Sequence, residues 1–574
     1  MLFQGGDGEN DGGIFIEGGH DGPGEISQEH PIRTPVTIHF LADLHLCSAQ
    51  ETYLMKLWPR LLVCGTLILE LASCGIANPI AAVLPSLGLV ESQETIAHAC
   101  RQNTVHRKGT SGFEMLADGR ESFLARLAMV EAAQRTLDLQ YYIWRDDVAG
   151  TAFADRLLAA ADRGVKVRLL LDNTTDAQVE VSSAALAAHP NIQVAFFNPM
   201  TDLKGIFAGN PIPVIGEIDR MQSRMHNKII IADGTLLMGG GRNLGDTYFG
   251  IDRKRNMRDL DFLAAGPVVG AATKSFELYW RSPLTRMGNK DKITEREREE
   301  LRDLRKHVTR KKRALSAESG QPYPLSLSRA ESLDTLHQMV CRMIWARYEF
   351  VADPPERMMR QGAVASPVWR QIEATVRRAR SEVVMHAAYF IPQSGTLGLL
   401  RATTARGVRV QVLTNSLASI DGVAAMAGIG NRRPAILKSG VSLFELNAHA
   451  SDRKDYIHVR RLTPLGMHTK GFVVDNKESF IGSYNMDPRS KYINTETGVI
   501  IHSAAFAARL KSYLIKGFQP ANSWHVTQDA KGSILWTGQL PNGERVVRHF
   551  DPDASLLRRL EYWIYRCLPW EDFL

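Results

Sequence analysis

Two stretches of the chain, His226-Asn-Lys-Ile-Ile-Ile-Ala-Asp233 and His468-Thr-Lys-Gly-Phe-Val-Val-Asp475, share the spacing His-x-Lys-x4-Asp. Each is followed by a turn of small residues and then by an asparagine, Asn243 in the first copy and Asn485 in the second. Equivalent residues of the two copies lie 242 positions apart. This duplicated set of histidine, lysine and asparagine indicates one active site built from two halves of the chain.

The sequence around these stretches repeats as well. Residues 160–171 are echoed by residues 403–413, and an apolar, strand-like run precedes each, at 137–144 and at 383–391. Strand, helix and strand at this spacing predict β-α-β units. A repeat of this length is a domain duplication. We therefore predict an α/β fold with two tandem domains related by a pseudo-twofold axis. Each would be a mixed, mostly parallel sheet flanked by helices, with the active site at their interface.

These observations divide the chain into seven segments. Between the repeats we expect a solvated, charged helix, with a surface for anionic lipid or nucleic acid as the alternative. For the C-terminal helix we expect packing against the core, with a membrane surface as the alternative. The predicted segments are 1–54, disordered or an upstream extension; 55–74, a lipoprotein-type signal peptide; 75–109, a linker; 110–285, the first repeat domain; 286–345, a charged helical linker; 346–520, the second repeat domain; and 521–574, a hairpin plus an amphipathic helix.

The segment that begins at Met55 has a basic start, a short apolar core and an exit of small residues, which are the parts of a secretory signal peptide. Its apolar run is shorter than the roughly 20 residues of a comfortable transmembrane helix. Leu71-Ala-Ser-Cys74 resembles a bacterial lipobox, with Cys74 as the lipidated residue. We expect a lipoprotein in the bacterial cell envelope that faces the periplasm. The alternatives are a plain membrane anchor and an unprocessed apolar segment.

The net charge of +7 and the isoelectric point near 9.0 favour anionic partners such as phospholipid head groups or nucleic acid. The six cysteines show no Cys-x2-Cys spacing, so neither a zinc site nor a disulfide framework is indicated.

The residue types of the repeated motif suit phosphodiester chemistry. In a strand, His226 and Lys228 point to the same face, and so do His468 and Lys470. A neutral imidazole can attack phosphorus while the second imidazole protonates the leaving alkoxide. The lysines, with Asn243 and Asn485, would bind the phosphoryl oxygens. Two ammonium groups already neutralise that charge, so we expect no metal and no cofactor.

Each imidazole also needs a carboxylate to orient it. We expect Glu496 in the second half and Asp261 in the first, and favour Asp261 over Asp259. Asp233 and Asp475 end strands, where a structural role in the turn is expected.

At this point the chain resembles the phospholipase D superfamily, whose paired HKD motifs match the two stretches across residues 110–520. The segments 485–490 and 494–496 are similar to the bacterial cardiolipin synthase branch, and most of all to its third (C-type) form. The resemblance implies a phosphohistidine intermediate, no metal, and transfer of a phosphatidyl group to water or an alcohol. It implies phosphatidylglycerol and phosphatidylethanolamine as lipid partners at a membrane surface, with no nucleic acid expected.

The chain departs from this family at two places: Gly241 replaces a serine, and Met426-Ala-Gly-Ile429 replaces an expected His-Ala-Gly-Tyr run. The alternative functions are a hydrolytic phospholipase D, a nuclease of the same superfamily and a non-enzymatic membrane scaffold. The residues themselves leave open which histidine is the nucleophile, whereas the resemblance favours the first-half residue, His226. They predict no oligomeric state.

Overall fold

A computed structural model describes residues 108–172, 183–199, 222–288, 294–318, 325–360 and 364–568. All of them belong to the compact unit Gln93–Leu574. The predictions for residues 1–107, including the signal peptide and Cys74, lie outside the described residues.

Helices and strands alternate through both repeats and continue into the tail. The first repeat contains β1 (Ser111–Leu116), α1 (Gly119–Ala132), β2 (Thr136–Tyr141), α2 (Val148–Asp162), β3 (Lys166–Asp172), α3 (Ser183–Ala187), β4 (Ile192–Phe197), β5 (Ile229–Ala232), β6 (Leu236–Gly240), β7 (Asn256–Arg258), β8 (Asp261–Ala265), α4 (Pro267–Trp280) and β9 (Thr285–Met287). Two helices follow, α5 (Glu295–Glu318) and α6 (Arg329–Cys341).

The second repeat has the same order of helices and strands, with one exception. It contains β10 (Ile344–Ala352), α7 (Pro367–Arg377), β11 (Glu382–Ala387), α8 (Ser394–Thr404), β12 (Arg409–Asn415), α9 (Val423–Lys438), β13 (Ser442–Leu446), β14 (Leu465–Met467), β15 (Lys470–Val474), β16 (Glu478–Gly482), β17 (Thr497–His502) and α10 (Ala504–Lys516). The exception is the short strand β14, which lies before the motif strand β15, whereas β7 lies after β6. The tail adds β18 (Ser523–Gln528), β19 (Ile534–Gln539), β20 (Arg545–Arg548) and α11 (Leu556–Arg566).

Local sequence signals account for the element ends. The side chain of Asp147 caps α2 by accepting a hydrogen bond from the Gly150 N–H. Gly164 and Gly407, which follow the C-terminal ends of α2 and α8, have φ of +96° and +83°, a conformation that glycine adopts without strain.

The strands form one 18-stranded sheet. The first repeat contributes the order β9-β4-β3-β2-β5-β6-β8-β1, and the second continues it as β10-β17-β16-β15-β11-β12-β13-β18-β19-β20. Each repeat thus places its strands in the same spatial order on either side of the β1–β10 pair. The predicted α/β class and tandem duplication are confirmed.

The expectation of mostly parallel sheets was wrong. Among the described strands, each repeat has two parallel pairings within it, β2–β3 and β3–β4 in the first and β11–β12 and β12–β13 in the second. The motif strands run antiparallel, because turns of three residues join β5 to β6 and β15 to β16, and so short a connection can join only antiparallel neighbours. Asp233 and Gly234 at the first of these turns have φ of +52° and +62°, as primed hairpin turns require.

The two repeats share a core and several backbone contacts. One cluster of buried side chains draws on both, from Phe113 and Val268 to Met467 and Phe506. The short strands β7 and β14 pair in parallel across the repeats. Both His-x-Lys motifs lie next to these contacts between the repeats. The two repeats therefore meet at His226 and His468.

The linker helices differ in their surroundings. Helix α6 buries Leu336, Met339 and Val340 in the first-repeat core, whereas α5 carries exposed ion pairs such as Arg296–Glu300. The tail is more than the hairpin expected, since β18 joins the sheet beside β13 and is followed by β19 and β20. Among the described residues, no helix combines the length and apolar character needed to cross a bilayer.

Candidate active site

The two motif histidines are held by equivalent backbone contacts to the opposite repeat. His226 lies three residues before the first residue of β5, and its N–H donates to the Thr495 carbonyl over 2.9 Å. His468 precedes β15, and its N–H donates to the Arg258 carbonyl over 2.8 Å. Both rings therefore sit at the boundary between the repeats.

Each imidazole meets a carboxylate from the other repeat. His226 Nδ1 lies 2.9 Å from Glu496 Oε2, and His468 Nδ1 lies 2.7 Å from Asp259 Oδ2. An ionised carboxylate only accepts, so when Glu496 and Asp259 are ionised each Nδ1 carries the proton and each Nε2 keeps its lone pair. The sequence had suggested a carboxylate in each half without indicating that the pairs cross.

The expectation for Asp261 is corrected. Its carboxylate accepts from Ser122 at 2.7 Å and pairs with two buried guanidiniums, Arg126 at 3.0 Å and Arg242 at 3.2 Å. The strand register explains the error. Asp261 pairs with Gly240 in the first repeat, and Gly498 pairs with Gly482 in the second, so Asp261 is the counterpart of Gly498. Two residues before each lies the carboxylate that reaches a histidine, which makes Asp259 the counterpart of Glu496.

The two motif lysines are buried behind their own histidines. Lys228 Nζ donates to the His226 carbonyl over 2.6 Å, and Lys470 Nζ donates to the His468 carbonyl over 2.5 Å. Burial lowers the pKa of Lys228 to about 7 and that of Lys470 to about 8. The carboxylates of Glu496 and Asp259 act in the opposite direction and favour the charged ammonium form of both lysines.

The pKa of each histidine is lowered too. Burial and the Lys228 charge hold the pKa of His226 well below its ordinary value. Burial and Lys470 also lower the pKa of His468, but Asp259 opposes that change through its charge and its hydrogen bond. At neutral pH the free site thus presents neutral imidazoles, and His468 is the one whose protonated form has the stronger anionic support.

The two orienting carboxylates have different surroundings. Glu496 accepts hydroxyl hydrogen bonds from Ser483 and, at 2.7 Å, from Ser490, while burial raises its pKa to about 7. Asp259 accepts the Leu260 N–H at 2.7 Å. Burial raises the pKa of Asp259, but His468, Lys470 and Arg242 together outweigh that effect and lower it to about 2.

The glycine that departs from the family pattern now has a physical explanation. A Cβ built at Gly241 would overlap the carboxylate of Asp259. In the second repeat the equivalent residue is Ser483, whose hydroxyl donates to Glu496. The shorter acid therefore requires a glycine beside it, whereas the longer acid leaves room for a serine.

The motif asparagines are buried near aromatic rings. Asn243 Nδ2 donates to the Tyr248 hydroxyl over 2.9 Å, and the Tyr248 ring packs edge-on against His468 at 5.1 Å between centroids. Tyr142 packs against His226 at the same distance. Within the described residues, Oδ1 of Asn243 and Oδ1 of Asn485 have no hydrogen-bond partner. Neither the two tyrosines nor Ser490 was expected. Tyr248 and Ser490 each lie five residues after a motif asparagine, whereas Tyr142 lies far from the motif in sequence.

The motif aspartates lie at the other end of the strands. Asp233 accepts backbone N–H groups of Gln134, Arg135 and Thr136, and Asp475 accepts those of Arg380, Ser381 and Glu382. These contacts fix the loops that lead into β2 and β11. No cluster of three or more His, Cys, Asp or Glu that could hold a metal ion occurs in the part of the chain that the structure describes.

Comparison with known proteins agrees with this duplicated geometry. The family described as "Cardiolipin synthase, PLD-like domain" matches residues 127–280 and again residues 372–516. Cardiolipin synthase C of Escherichia coli (strain K12) is 31% identical over 473 residues, which cover 81% of this chain and 97% of that protein. The chain belongs to the PLD-like cardiolipin synthase family.

Two further relatives extend the comparison. Cardiolipin synthase A of Pseudomonas entomophila (strain L48) is 27% identical, with 76% of this chain and 74% of that protein covered. The crystal structure of phosphatidylserine synthase from Haemophilus influenzae Rd KW20 aligns with a TM-score of 0.47 at 14% identity, covering 73% of this chain and 90% of that one. The two matched PLD-like domains contain one His-x-Lys motif each.

Proposed function

We propose that this member of the PLD-like cardiolipin synthase family is a phosphatidyltransferase that acts on phospholipid phosphodiesters through a phosphohistidine intermediate. One observation carries the proposal: two imidazoles, each with Nδ1 fixed by a carboxylate of the opposite repeat, stand beside two buried lysines. That arrangement supplies a nucleophile, an acid–base group and cationic support for one phosphorus atom.

In the first step, His226 Nε2 attacks phosphorus. A nitrogen–phosphorus bond forms, the phosphorus–oxygen bond to the leaving alcohol breaks, and His468 gives that oxygen its proton. The roles follow from the stronger lowering of the His226 pKa and from Asp259, which supports the imidazolium form of His468. The anionic diester itself raises the pKa of both lysines and of His468 when it binds, because it adds a negative charge.

In the second step, the acceptor hydroxyl loses its proton to His468 Nε2 and attacks phosphorus. The bond to His226 breaks, and the product diester leaves. The ammonium groups of Lys228 and Lys470, with the amides of Asn243 and Asn485, stabilise the phosphoryl oxygens in both steps.

The substrates proposed are membrane phospholipids, with phosphatidylethanolamine as donor and the glycerol of phosphatidylglycerol as acceptor. The family membership and the names of the relatives support a lipid diester. Purified protein would be given phosphatidylethanolamine with or without phosphatidylglycerol, and separately single-stranded DNA, and products would be identified by mass spectrometry. Cardiolipin formed only when phosphatidylglycerol is present is the expected result. Phosphatidic acid alone would indicate a hydrolase, and cut DNA a nuclease.

Variants test the assigned roles. His226→Ala and His468→Ala are each expected to abolish turnover, whereas His386→Ala, which removes a buried histidine outside the site, retains it. Acid-free quenching and peptide mass spectrometry are expected to find the phosphatidyl adduct on the peptide that contains His226. An adduct on the His468 peptide alone would reverse the two roles.

We also propose that Cys74 carries a lipid that holds the protein in the bacterial envelope, facing the periplasm. The support is the signal-peptide-like sequence at residues 55–74. Labelling with a radioactive fatty acid, compared between the natural chain and Cys74→Ala, tests it. An unlabelled natural protein, or label that survives the substitution, contradicts lipidation at this residue.

A further inference from the structure

The C-terminal helix α11 is packed with its polar side inward. Tyr562 is buried, its hydroxyl accepts a hydrogen bond from Arg433 Nη1 at 3.0 Å, and it approaches Gly430 so closely that a Cβ there would overlap it. Arg558 Nε donates to the Leu417 carbonyl over 2.7 Å, and Arg566 Nε donates to Asn431 Oδ1 over 2.8 Å. Specific polar contacts therefore fix which face of α11 points away from the protein.

The outward face is apolar. Leu556, Leu557, Leu560, Trp563 and Ile564 are 81%, 76%, 59%, 60% and 56% exposed. At 100° per residue these five side chains share one side of the helix, opposite Tyr562. Surface helices of soluble domains normally bury that side, so the orientation is the reverse of the usual one.

The exposed apolar residues are concentrated here. Of the 14 exposed large hydrophobic residues within the described ranges, seven lie between Phe550 and Leu568. The other seven are scattered over the rest of the described chain, as single exposed residues are on most protein surfaces. A concentrated apolar face of this kind marks a surface that another apolar phase covers.

The charged residues around the outward face of α11 indicate what covers it. Helix α11 carries Arg558, Arg559 and Arg566 against one acid, Glu561. The Arg559 guanidinium lies over the exposed Phe550 ring at 4.5 Å, and that of Arg566 lies over Trp563 at 5.2 Å. Arginines and a tryptophan at the border of an apolar helix face are typical of helices that lie in the interface of an anionic bilayer.

The helix is also connected to the active site through one loop. Arg558 donates to the carbonyls of Leu417 and Ile420, and the same loop contains Asp421. Burial raises the pKa of Asp421, but the hydrogen bond from Tyr389 and, after it, the nearby His468 lower it. At the start of that loop, Asn415 Nδ2 donates to the carbonyl of Met467, the residue before His468, over 2.7 Å. A surface that binds α11 is thus placed beside the catalytic centre.

From these observations we infer that the outward face of α11, together with Phe550, inserts into the interface of an anionic phospholipid bilayer and places the active site at the membrane surface. The choice of a bilayer as occupant rests in part on the proposed lipid substrate. Insertion itself is a separate property, because the face binds a vesicle whether or not the enzyme turns over.

The test uses the full chain and vesicles of phosphatidylcholine with phosphatidylglycerol, compared with phosphatidylcholine alone. Hydrogen–deuterium exchange locates the contact by peptide, which is necessary because the apolar run at residues 61–71 can bind vesicles on its own. Slower exchange over residues 556–568 with anionic vesicles is expected. Unchanged exchange in this peptide overturns the proposal.

The double variant Leu560→Ser/Trp563→Ser is expected to lose this protection and to weaken the contribution of the helix to vesicle binding about 100-fold, since two large apolar anchors are removed. Leu278→Ser, at a residue 56% exposed on α4, is the matched control and is expected to behave as the natural chain. Both are compared in thermal stability and in turnover of a soluble chromogenic phosphodiester. Equal vesicle protection in the double variant overturns the proposal.

Two other results also overturn it. Protection of residues 556–568 that grows with protein concentration without vesicles assigns the face to a second copy of the chain. Protection that depends on residues 1–107 assigns it to the N-terminal segment. If the natural chain turns over neither vesicle lipid nor the soluble diester while its α11 is protected by vesicles, the proposed function fails and the membrane contact stands.

Discussion

Asp259→Asn and Asp261→Asn change two acids that are two residues apart, yet their expected effects differ completely. Asp259 Oδ2 lies 2.7 Å from His468 Nδ1, while its other oxygen accepts the Leu260 N–H. In Asp259→Asn the oxygen keeps the backbone contact, so the amide NH2 faces Nδ1 and favours the wrong tautomer. The proton moves to Nε2, which then cannot take a proton from the acceptor. Loss of this orientation costs about 10³–10⁴ in kcat, or about 4–5.5 kcal/mol.

Asp261→Asn instead leaves Arg126 and Arg242 buried without their shared anion. Breaking such a buried ion pair costs about 3–5 kcal/mol of folding stability. Its kcat per folded molecule is expected to be unchanged, because Asp261 touches neither imidazole. Thermal unfolding and single-turnover kinetics on the soluble diester separate the two effects. A large kcat loss in Asp261→Asn together with a nearly normal Asp259→Asn would refute the assignment of Asp259 as the orienting acid.

Three further predictions follow from the same geometry. Gly241→Ser is expected to displace the Asp259 carboxylate and lower kcat by about 100-fold or more, because misplacement of a catalytic group by about 1 Å has that effect; an unchanged rate would show that the site tolerates the added Cβ. Ser483→Ala removes a hydrogen bond that lowers the pKa of Glu496, which is about 7 in the natural chain. This pKa therefore rises, and the acid limb of the kcat/KM profile is expected to move to higher pH. A shift of that limb to lower pH contradicts the prediction. The diester anion binds the charged forms of Lys228 and Lys470, whose pKa values are about 7 and about 8. KM is therefore expected to rise as the pH increases above that range. A KM that falls with pH there would exclude both lysines from ground-state binding.

The sequence was sufficient for the parts of the site that keep a constant spacing. His226, Lys228 and their counterparts repeat at one offset of 242 residues, and the structure brings both pairs to the boundary between the repeats. The sheet direction was less accessible, because apolar runs indicate strands but not which neighbour each strand pairs with. Strand β5, for example, pairs antiparallel with β2, and the residue pattern indicates neither this partner nor this direction.

The orienting acids were harder to predict for a related reason. Between Gly241 and Asp259 the first repeat has five residues more than the second has between Ser483 and Glu496, so the offset that located the histidines fails there. Only the register of β8 against β6 identifies Asp259. Helix α11 shows a different limit: its amphipathic pattern was correctly predicted, but the pattern alone does not say which face meets the protein.

The crossed pairing of acids and imidazoles makes the two repeats mutually dependent. Glu496 sets the tautomer of a ring that belongs to the first repeat, and Asp259 does the same for a ring of the second. An isolated repeat would keep its motif but would have no anion to orient its own histidine. Separation of the halves, even by a small sliding motion, would remove the orienting carboxylate from both imidazoles at once, so the proposed chemistry depends on the correct assembly of the two copies.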